Sequence, residues 1–386
     1  MSTDTFRLTH IDMRPLDIPF RVAFKHASAE RSRTSAVVAI ASTSSGQIGH
    51  GEGCPRPYVS GEDIDSCLSF HQTHERDLLA IRCLDDVQQF VQAHQAQIDR
   101  YPAAWCALEC AVLDALGLHQ KRSVEDLLGL PPLTGSFHYS AVLGVSQESV
   151  FQAQLAQYVH LGFLDFKIKI SGDLDKDKTH LQALKAALPN ANIRLDGNNL
   201  WLDADAALPY LSALKGLFWA VEEPIKPKDF AGLQELAQQL DCQIILDESL
   251  LSCADLEIPQ KQPALWLANI RVSKMGGVLR SLQVAHACSK AQIPIIVGAQ
   301  VGETSLLTRA ALTVVHAHRA SVRAQEGAFG TLLLASDITT PCLMFGAHGA
   351  LDLAHVQTAG WGLHCQPTAQ VQNHGERGGC AGGLRP

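Results

Sequence analysis

The sequence predicts an α/β fold, a (β/α)8 barrel of modified TIM type, behind an α+β capping domain. Three observations point there. Strand-like segments come first and helical ones after them, up to about residue 130. From about residue 136, eight strand-like runs follow in turn, with helical patterns between them. Five successive runs end in a conspicuous ionisable residue, Lys169, Asp196, Glu222, Asp247 and Lys274, spaced 27, 26, 25 and 27 residues apart, about one βα unit each time.

Along the chain, "RLTHIDMRPLDIPF", "TSAVVAIAST" and "GQIGHGEG" read as strands, with Ser44-Ser45-Gly46 as the turn between the last two. Helical patterns begin near Gly61 and include "CLDDVQQFVQAHQAQI" and "AAWCALECAVLDALGLHQK". The barrel strands are expected at 137–145, 164–170, 192–198, 218–224, 243–249, 267–274, 293–300 and 321–327. Helices such as "DKDKTHLQALKAALP" and "DFAGLQELAQQL" separate them. We therefore expect a cap over 1–130, a barrel over 131–340, a return to the cap over 341–363 and a Gly-rich disordered tail over 364–386.

The chain has 386 residues, of which 46% are hydrophobic and 18% charged, enough for a large core. A formal charge of -8 without a basic tract disfavours a nucleic-acid or anionic-membrane partner and points to a small-molecule one. The eleven cysteines are scattered and never form C-x-x-C, which suits a reducing cytoplasm rather than a disulfide framework or zinc ribbon. The N-terminal stretch lacks an apolar h-region, and no run approaches the about 18 to 20 apolar residues that span a bilayer. A cytoplasmic enzyme is expected, and a homo-oligomer.

The stretch "LDFKIKI" (164–170) raises a question of charge. Side chains alternate across a strand, so Lys167 and Lys169 share one face while Phe166, Ile168 and Ile170 share the other. Two like charges side by side in a core are costly unless anions answer them or one lysine loses its proton. The C-terminal ends of barrel strands meet at one mouth, so Asp196, Glu222 and Asp247 would converge there beside the lysines. Three carboxylates suit a hard divalent ion such as Mg²⁺, whereas zinc favours nitrogen or sulfur.

The motifs "KIK", "DGN" (196–198), "EEP" (222–224), "DES" (247–249) and "SKMGG" (273–277) together resemble the enolase superfamily. The subgroup is that of muconate lactonizing enzyme, dipeptide epimerases, N-acylamino acid racemases and o-succinylbenzoate synthase, and the resemblance runs over roughly residues 5–360. It implies an enolase N-terminal-like cap and a C-terminal-like barrel. It further implies Mg²⁺, with Mn²⁺ as a possible substitute, on Asp196, Glu222 and Asp247, with Asn198, Glu223 and Glu248 beside these positions. Lys169 would be the general base on one face of the substrate, Lys274 the acid/base on the other, and Lys167 the neighbour that tunes Lys169. The implied chemistry is removal of a proton α to a carboxylate to give an enediolate whose new charge the metal stabilises. For that task a lysine must fall from its ordinary pKa of about 10.4 to about 7, a differential of roughly 4 kcal/mol.

Specificity would lie in the cap loops at 20–34 and 51–62, whose Lys25, His26, Arg31, Arg56 and Tyr58 are candidate substrate contacts. Gln300 and Glu326, at the ends of the seventh and eighth strands, complete the set. Dipeptide epimerases carry Asp-x-Asp on the eighth strand to hold a substrate ammonium. This chain has Gly327-Ala328-Phe329 there, within "EGAFGTLLL", which is closer to the Glu-Leu-Phe-Gly of muconate lactonizing enzymes with one residue added. The far end of the substrate is therefore expected to be neutral or acidic. Racemisation or epimerisation of an amino-acid derivative is the first expectation, a muconate-type cycloisomerisation the second and a syn-dehydration the third.

Overall fold

The computed structural model describes residues 5–26, 29–353 and 358–366, without the side chains of residues 22–31. Its first sheet has the order β1 (Leu8–Leu16), β4 (Ala36–Thr43), β5 (Ile48–Gly53), all antiparallel, with a separate ribbon of β2 (Pro19–His26) and β3 (Ala29–Arg33). The central strand β4 is apolar from Ala36 to Ala41 because both its faces are covered. Ala36 and Val38 belong to the core shared with the barrel, and Val37, Ala39 and Ala41 to the cap's own core. The expected turn at 44–46 joins β4 to β5.

Helices α1 (Ile64–Leu79), α2 (Leu84–Ala93), α3 (Gln95–Arg100), α4 (Pro102–Gln120) and α5 (Val124–Leu127) follow. The helix expected over 83–98 is broken at His94, which caps α2. Helix α4 lies directly on β5, and Gly51 makes this possible: a Cβ there would meet Ala107 O at 2.1 Å.

After β6 (Phe137–His138), the barrel strands are β7 (Ala141–Leu143), β8 (Asp165–Lys169), β9 (Asn192–Asp196), β10 (Ala220–Glu222), β11 (Gln243–Leu246), β12 (Trp266–Ile270), β13 (Ile295–Val297) and β14 (Val322–Gln325). They form one eight-stranded parallel sheet in sequence order. Ser140 N donates to Gln325 O at 2.8 Å, linking the first strand's end of the curled sheet to the last. Inside it, Ala220, Ile245, Leu267, Ile296 and Ala324 form a small core of their own, while Val221, Ile244, Leu246, Ala268, Ile270, Ile295 and Val297 join the large outer core. Period-two alternation thus sets one inward parity on each strand.

The structure corrects several expectations. The run 137–145 is divided: Phe137–His138 pairs with Ala350–Leu351, and only Ala141–Leu143 joins the barrel. Helices α6 (Glu148–His160), α7 (Leu174–Ala187), α8 (Ala204–Ala213) and α9 (Phe230–Leu240) follow the first four strands. The sixth is followed by α10 (Val272–Met275) and α11 (Val278–Lys290), and the seventh by α12 (Ser305–Ala317). The fifth strand has instead three 3-10 turns between Cys253 and Leu265, where Pro259 and Pro263 remove two helix donors. The sixth strand ends at Ile270, short of the expected 274. His364 and Cys365, assigned to the tail, pair with Thr339 and Thr340, and residues 367–386 lie outside the described ones. No described helix is long and apolar enough to cross a membrane.

Buried acids join cap to barrel. Glu52 of β5 accepts from Thr304 N at 3.0 Å and Leu307 N at 3.4 Å at the start of α12, and Glu109 of α4 accepts from Leu279 N at 3.0 Å in α11. Near the end of the described chain, Trp361 donates to Asp114 Oδ1 and to Cys110 O of α4, while its carbonyl accepts from Arg309, which also holds Glu125 through two contacts of 2.8 Å. Burial pushes the Glu52 and Glu109 carboxyls up to about 7. Their folded pKa lies above the unfolded value, so the stability they contribute is complete below about 4.5 and is lost as pH rises through about 7. Urea denaturation of Glu109→Gln at pH 5 and pH 7.5 should show a smaller difference in midpoint than the parent, and an unchanged difference would refute this assignment.

Candidate active site

The inward parity brings ionisable side chains to the C-terminal mouth in register. Lys169 pairs with Asp196 across β8 and β9, and Asp196 with Glu222 across β9 and β10. The two lysines are answered by anions. Lys167, 3% exposed, lies 3.2 Å from Asp196 Oδ2, 2.7 Å from Glu222 Oε2 and 3.2 Å from Glu326 Oε2. Lys169 donates to Asp196 Oδ2 at 2.9 Å and to Asn198 Oδ1 at 2.7 Å. Burial opposes charge on Lys167, but Asp196, Glu222 and Glu326 outweigh it and hold it firmly as an ammonium. Its apolar neighbours Phe166, Ile168 and Ile170 pack in the outer core as expected.

The backbone that carries these groups is shaped by local needs. A Cβ on Gly197 would sit 2.8 Å from Pro224 Cα, so the "DGN" turn requires glycine there. Asn198 follows at φ +43°, which asparagine tolerates better than most residues, and its N–H donates back to Asp196 Oδ1 at 3.1 Å. Glu223 does not face the cavity. It accepts from Asp247 N at 2.8 Å, Ser249 N at 2.7 Å and Ser249 Oγ at 2.9 Å, and so anchors the segment that presents Asp247.

A cavity of about 460 Å³ opens over the mouth. Of the residues named from the sequence, Lys167, Lys169, Asn198, Glu248, Gln300, Glu326 and Tyr58 line it, together with Arg271 and Glu303, which the sequence reading does not name. Its other walls are mostly apolar and include Val142, Val150, Tyr158, Phe329, Leu332 and Leu333. Burial pushes Glu248 and Glu303 both up to about 8, the former helped by Asp247 and Glu223.

Two site expectations are corrected. Lys274 is not at a strand end: it sits on the one-turn helix α10, its side chain 0% exposed, donating to Asp247 O at 2.7 Å, Asp247 Oδ1 at 2.8 Å and Asn269 O at 2.8 Å, and it does not line the cavity. The strand-end position belongs to Arg271, whose guanidinium contacts Asp247 Oδ2, Glu222 Oε1 at 3.3 Å and Gln300 Oε1 at 3.3 Å. Parity was the available signal: Leu267 and Asn269 point inward, and Arg271 is the next such position. Arg56 is likewise no cavity residue. It is 1% exposed and donates to the carbonyls of Ser35 at 2.8 Å, Pro55 at 2.7 Å and Val301 at 2.7 Å, joining the cap to the loop after β13. Arg56→Ala should therefore lower stability by about 2–4 kcal/mol, as loss of charged hydrogen bonds does, rather than act chiefly on KM. Urea unfolding beside steady-state kinetics checks this, and an unchanged midpoint with a raised KM would restore the sequence-based role. The side chains of Lys25, His26 and Arg31 lie outside the described ones.

The donor chemistry fits a hard divalent cation. Asp196, Glu222 and Asp247 are each 1% exposed and come from three adjacent strands. Burial, reinforced by Asp196, Glu326 and Asp247, pushes Glu222 up to about 8 despite Lys167, and carboxylate oxygens are the donors that a hard divalent ion takes. Asp196, by contrast, is held well below the usual carboxylate range, since Lys167 and Lys169 overcome the effect of burial. A second grouping, His74, Asp77 and His94, lies on the cap helices and does not line the cavity.

The chain is similar to known proteins in sequence and in fold. The chain is 25% identical to a hydrophobic dipeptide epimerase of Enterococcus faecalis, over 90% of this chain and 100% of that protein, and 25% identical to an N-succinyl-L-Arg/Lys racemase of Bacillus cereus, over 80% and 84%. A solved dipeptide epimerase from Cytophaga hutchinsonii, complexed with Mg and the dipeptide D-Ala-L-Val, superimposes with a TM-score of 0.85 at 21% identity, covering 94% of this chain and 97% of that one. Residues 150–367 match the model of the family described as enolase C-terminal domain-like. That match spans more than half of the chain, and the protein belongs to this family of the enolase superfamily.

Proposed function

We propose that this protein is an enzyme that removes the proton α to the carboxylate of a small amino-acid derivative, with Lys169 as the base, and completes a racemisation or epimerisation. The observation that carries the reading is the position of Lys169, on the cavity wall with its Nζ between Asp196 and Asn198, next to three buried carboxylates from adjacent strands. Mg²⁺, or Mn²⁺ on the same oxygen donors, would be held by Asp196, Glu222 and Asp247 and would stabilise the negative charge that develops on the substrate carboxylate. Lys167 supplies a fixed positive charge beside that point. Lys169, as the free amine, takes the proton, and Asn198 Oδ1 orients its nitrogen. The apolar walls favour a substrate whose far end is neutral, and their exclusion of water strengthens each electrostatic contact at the reacting end.

The names of the relatives support amino-acid derivatives as the substrate class, N-acylated ones or dipeptides. A second reading, cycloisomerisation or syn-elimination on one face, is favoured by Arg271 occupying the inward position where a second lysine was expected. NMR in D2O with Mg²⁺ across N-acyl amino acids, dipeptides and muconates separates the two. Deuterium at an α-carbon with inversion supports the first reading, lactone or alkene formation the second, and inertness of all three classes would refute both.

A further inference from the structure

The sixth barrel strand presents its inward side chains in the series 267, 269, 271. Leu267 fills the barrel interior, Asn269 donates to Glu222 Oε1 at 3.0 Å, and Arg271 reaches the cavity. In an eight-stranded curled sheet whose ends are joined through Ser140 and Gln325, the sixth strand lies opposite the second, which carries Lys169. Lys274 is behind this layer with its three hydrogen bonds spent on Asp247 and Asn269. We infer that Arg271, and not Lys274, is the cation that meets the substrate on the face opposite Lys169, and that proton transfer at carbon runs on the Lys169 face alone.

The inference rests on the α-proton abstraction proposed above, and for its stereochemical course it takes the one-face second reading in place of inversion. A guanidinium stays protonated in proteins and presents a rigid fork of donors, so Arg271 can hold and polarise an anionic group but is no acceptor for a carbon-bound proton. Lys169, as the neutral amine, accepts the proton from the α-carbon, and the C–H electron pair stays on the substrate, spread into its carboxylate. The resulting ammonium then returns a proton to the same face. In D2O that ammonium exchanges with solvent, so a C–D bond replaces the C–H bond with retained configuration. Lys274 is a positioning residue that holds Asp247 in place.

The test uses the full chain with Mg²⁺ in D2O and the separate enantiomers of an N-acyl amino acid, with both exchange and inversion followed by NMR and chiral chromatography. One enantiomer should exchange at least about 10-fold faster than it inverts, and the other should exchange at least about 100-fold more slowly, the smallest effect usual for lacking a positioned base. Arg271→Lys should raise exchange of the slow enantiomer. Lys274→Met should reduce exchange of the fast enantiomer and weaken Mg²⁺ binding measured by calorimetry. Equal exchange of both enantiomers by the parent, with inversion keeping pace, would overturn the inference while leaving the proposed reaction intact. The same follows if Lys274→Met removes exchange of one enantiomer only and binds Mg²⁺ normally. Absence of exchange from either enantiomer, and from dipeptides, would overturn the proposed reaction and this inference together.

Discussion

Lys169→Met is expected to reduce α-proton exchange by at least about 100-fold, the low end of what a positioned general base contributes. Of the "KIK" pair, both on the cavity wall, Lys169 is the one with two acceptors among the described residues, whereas Lys167 is enclosed by three carboxylates and is kept charged. Methionine keeps most of the aliphatic length and removes the amine. Lys169→Arg is the discriminating control, because it keeps a cation against Asp196 but cannot serve as a base. Both variants should lose exchange and both should unfold cooperatively. Exchange at the parent rate in Lys169→Arg would show that the position supplies charge only, and the base would have to be sought elsewhere in the cavity.

The second large effect is expected at Asp247. Its carboxylate is the meeting point of Arg271, through Oδ2, and Lys274, through Oδ1 at 2.8 Å, and both cations overcome burial to keep it below the usual carboxylate range. Asp247→Asn preserves the shape and removes the anion. Loss of a partner merely beside a ligand commonly weakens metal binding by about 10–100-fold, so loss of a ligand's charge should exceed about 100-fold for Mg²⁺, with turnover falling to background. The backbone at this position should survive, since Glu223 holds the Asp247 and Ser249 amides independently of the side chain. Calorimetry with Mg²⁺ measures the affinity and a urea curve the fold. Normal turnover of the parent protein after exhaustive EDTA treatment would sink the three-carboxylate assignment, whatever the variant does.

Much of this site could be read from the chain because strand parity is a local property. "KIK" places two lysines on one face whatever lies across the barrel, and the spacing of Asp196, Glu222 and Asp247 follows from one βα unit per step. Which of Arg271 and Lys274 stands at the strand end is not legible for the opposite reason: deciding it needs the residue at which β12 stops. That boundary is set by the Gly276 cap, with φ +78°, and by the turn of helix it closes, over Val272–Met275. Arg56 was misplaced because a basic residue on a loop looks solvated until the carbonyls of Ser35 and Val301, distant in sequence, are seen to enclose it.

The order of elements, the parity of each strand and the identity of the converging carboxylates are thus properties of neighbouring residues, since backbone alternation and repeat length dictate them without reference to the rest of the chain. Which cation faces the substrate, which acids join cap to barrel and which apolar side chains wall the cavity depend on curling of the eight-stranded sheet and docking of the cap. Those steps bring together residues 252 and 159 positions apart, Glu52 with Thr304 and Lys167 with Glu326. Their contacts are settled by burial and charge pairing in three dimensions, which no local pattern encodes.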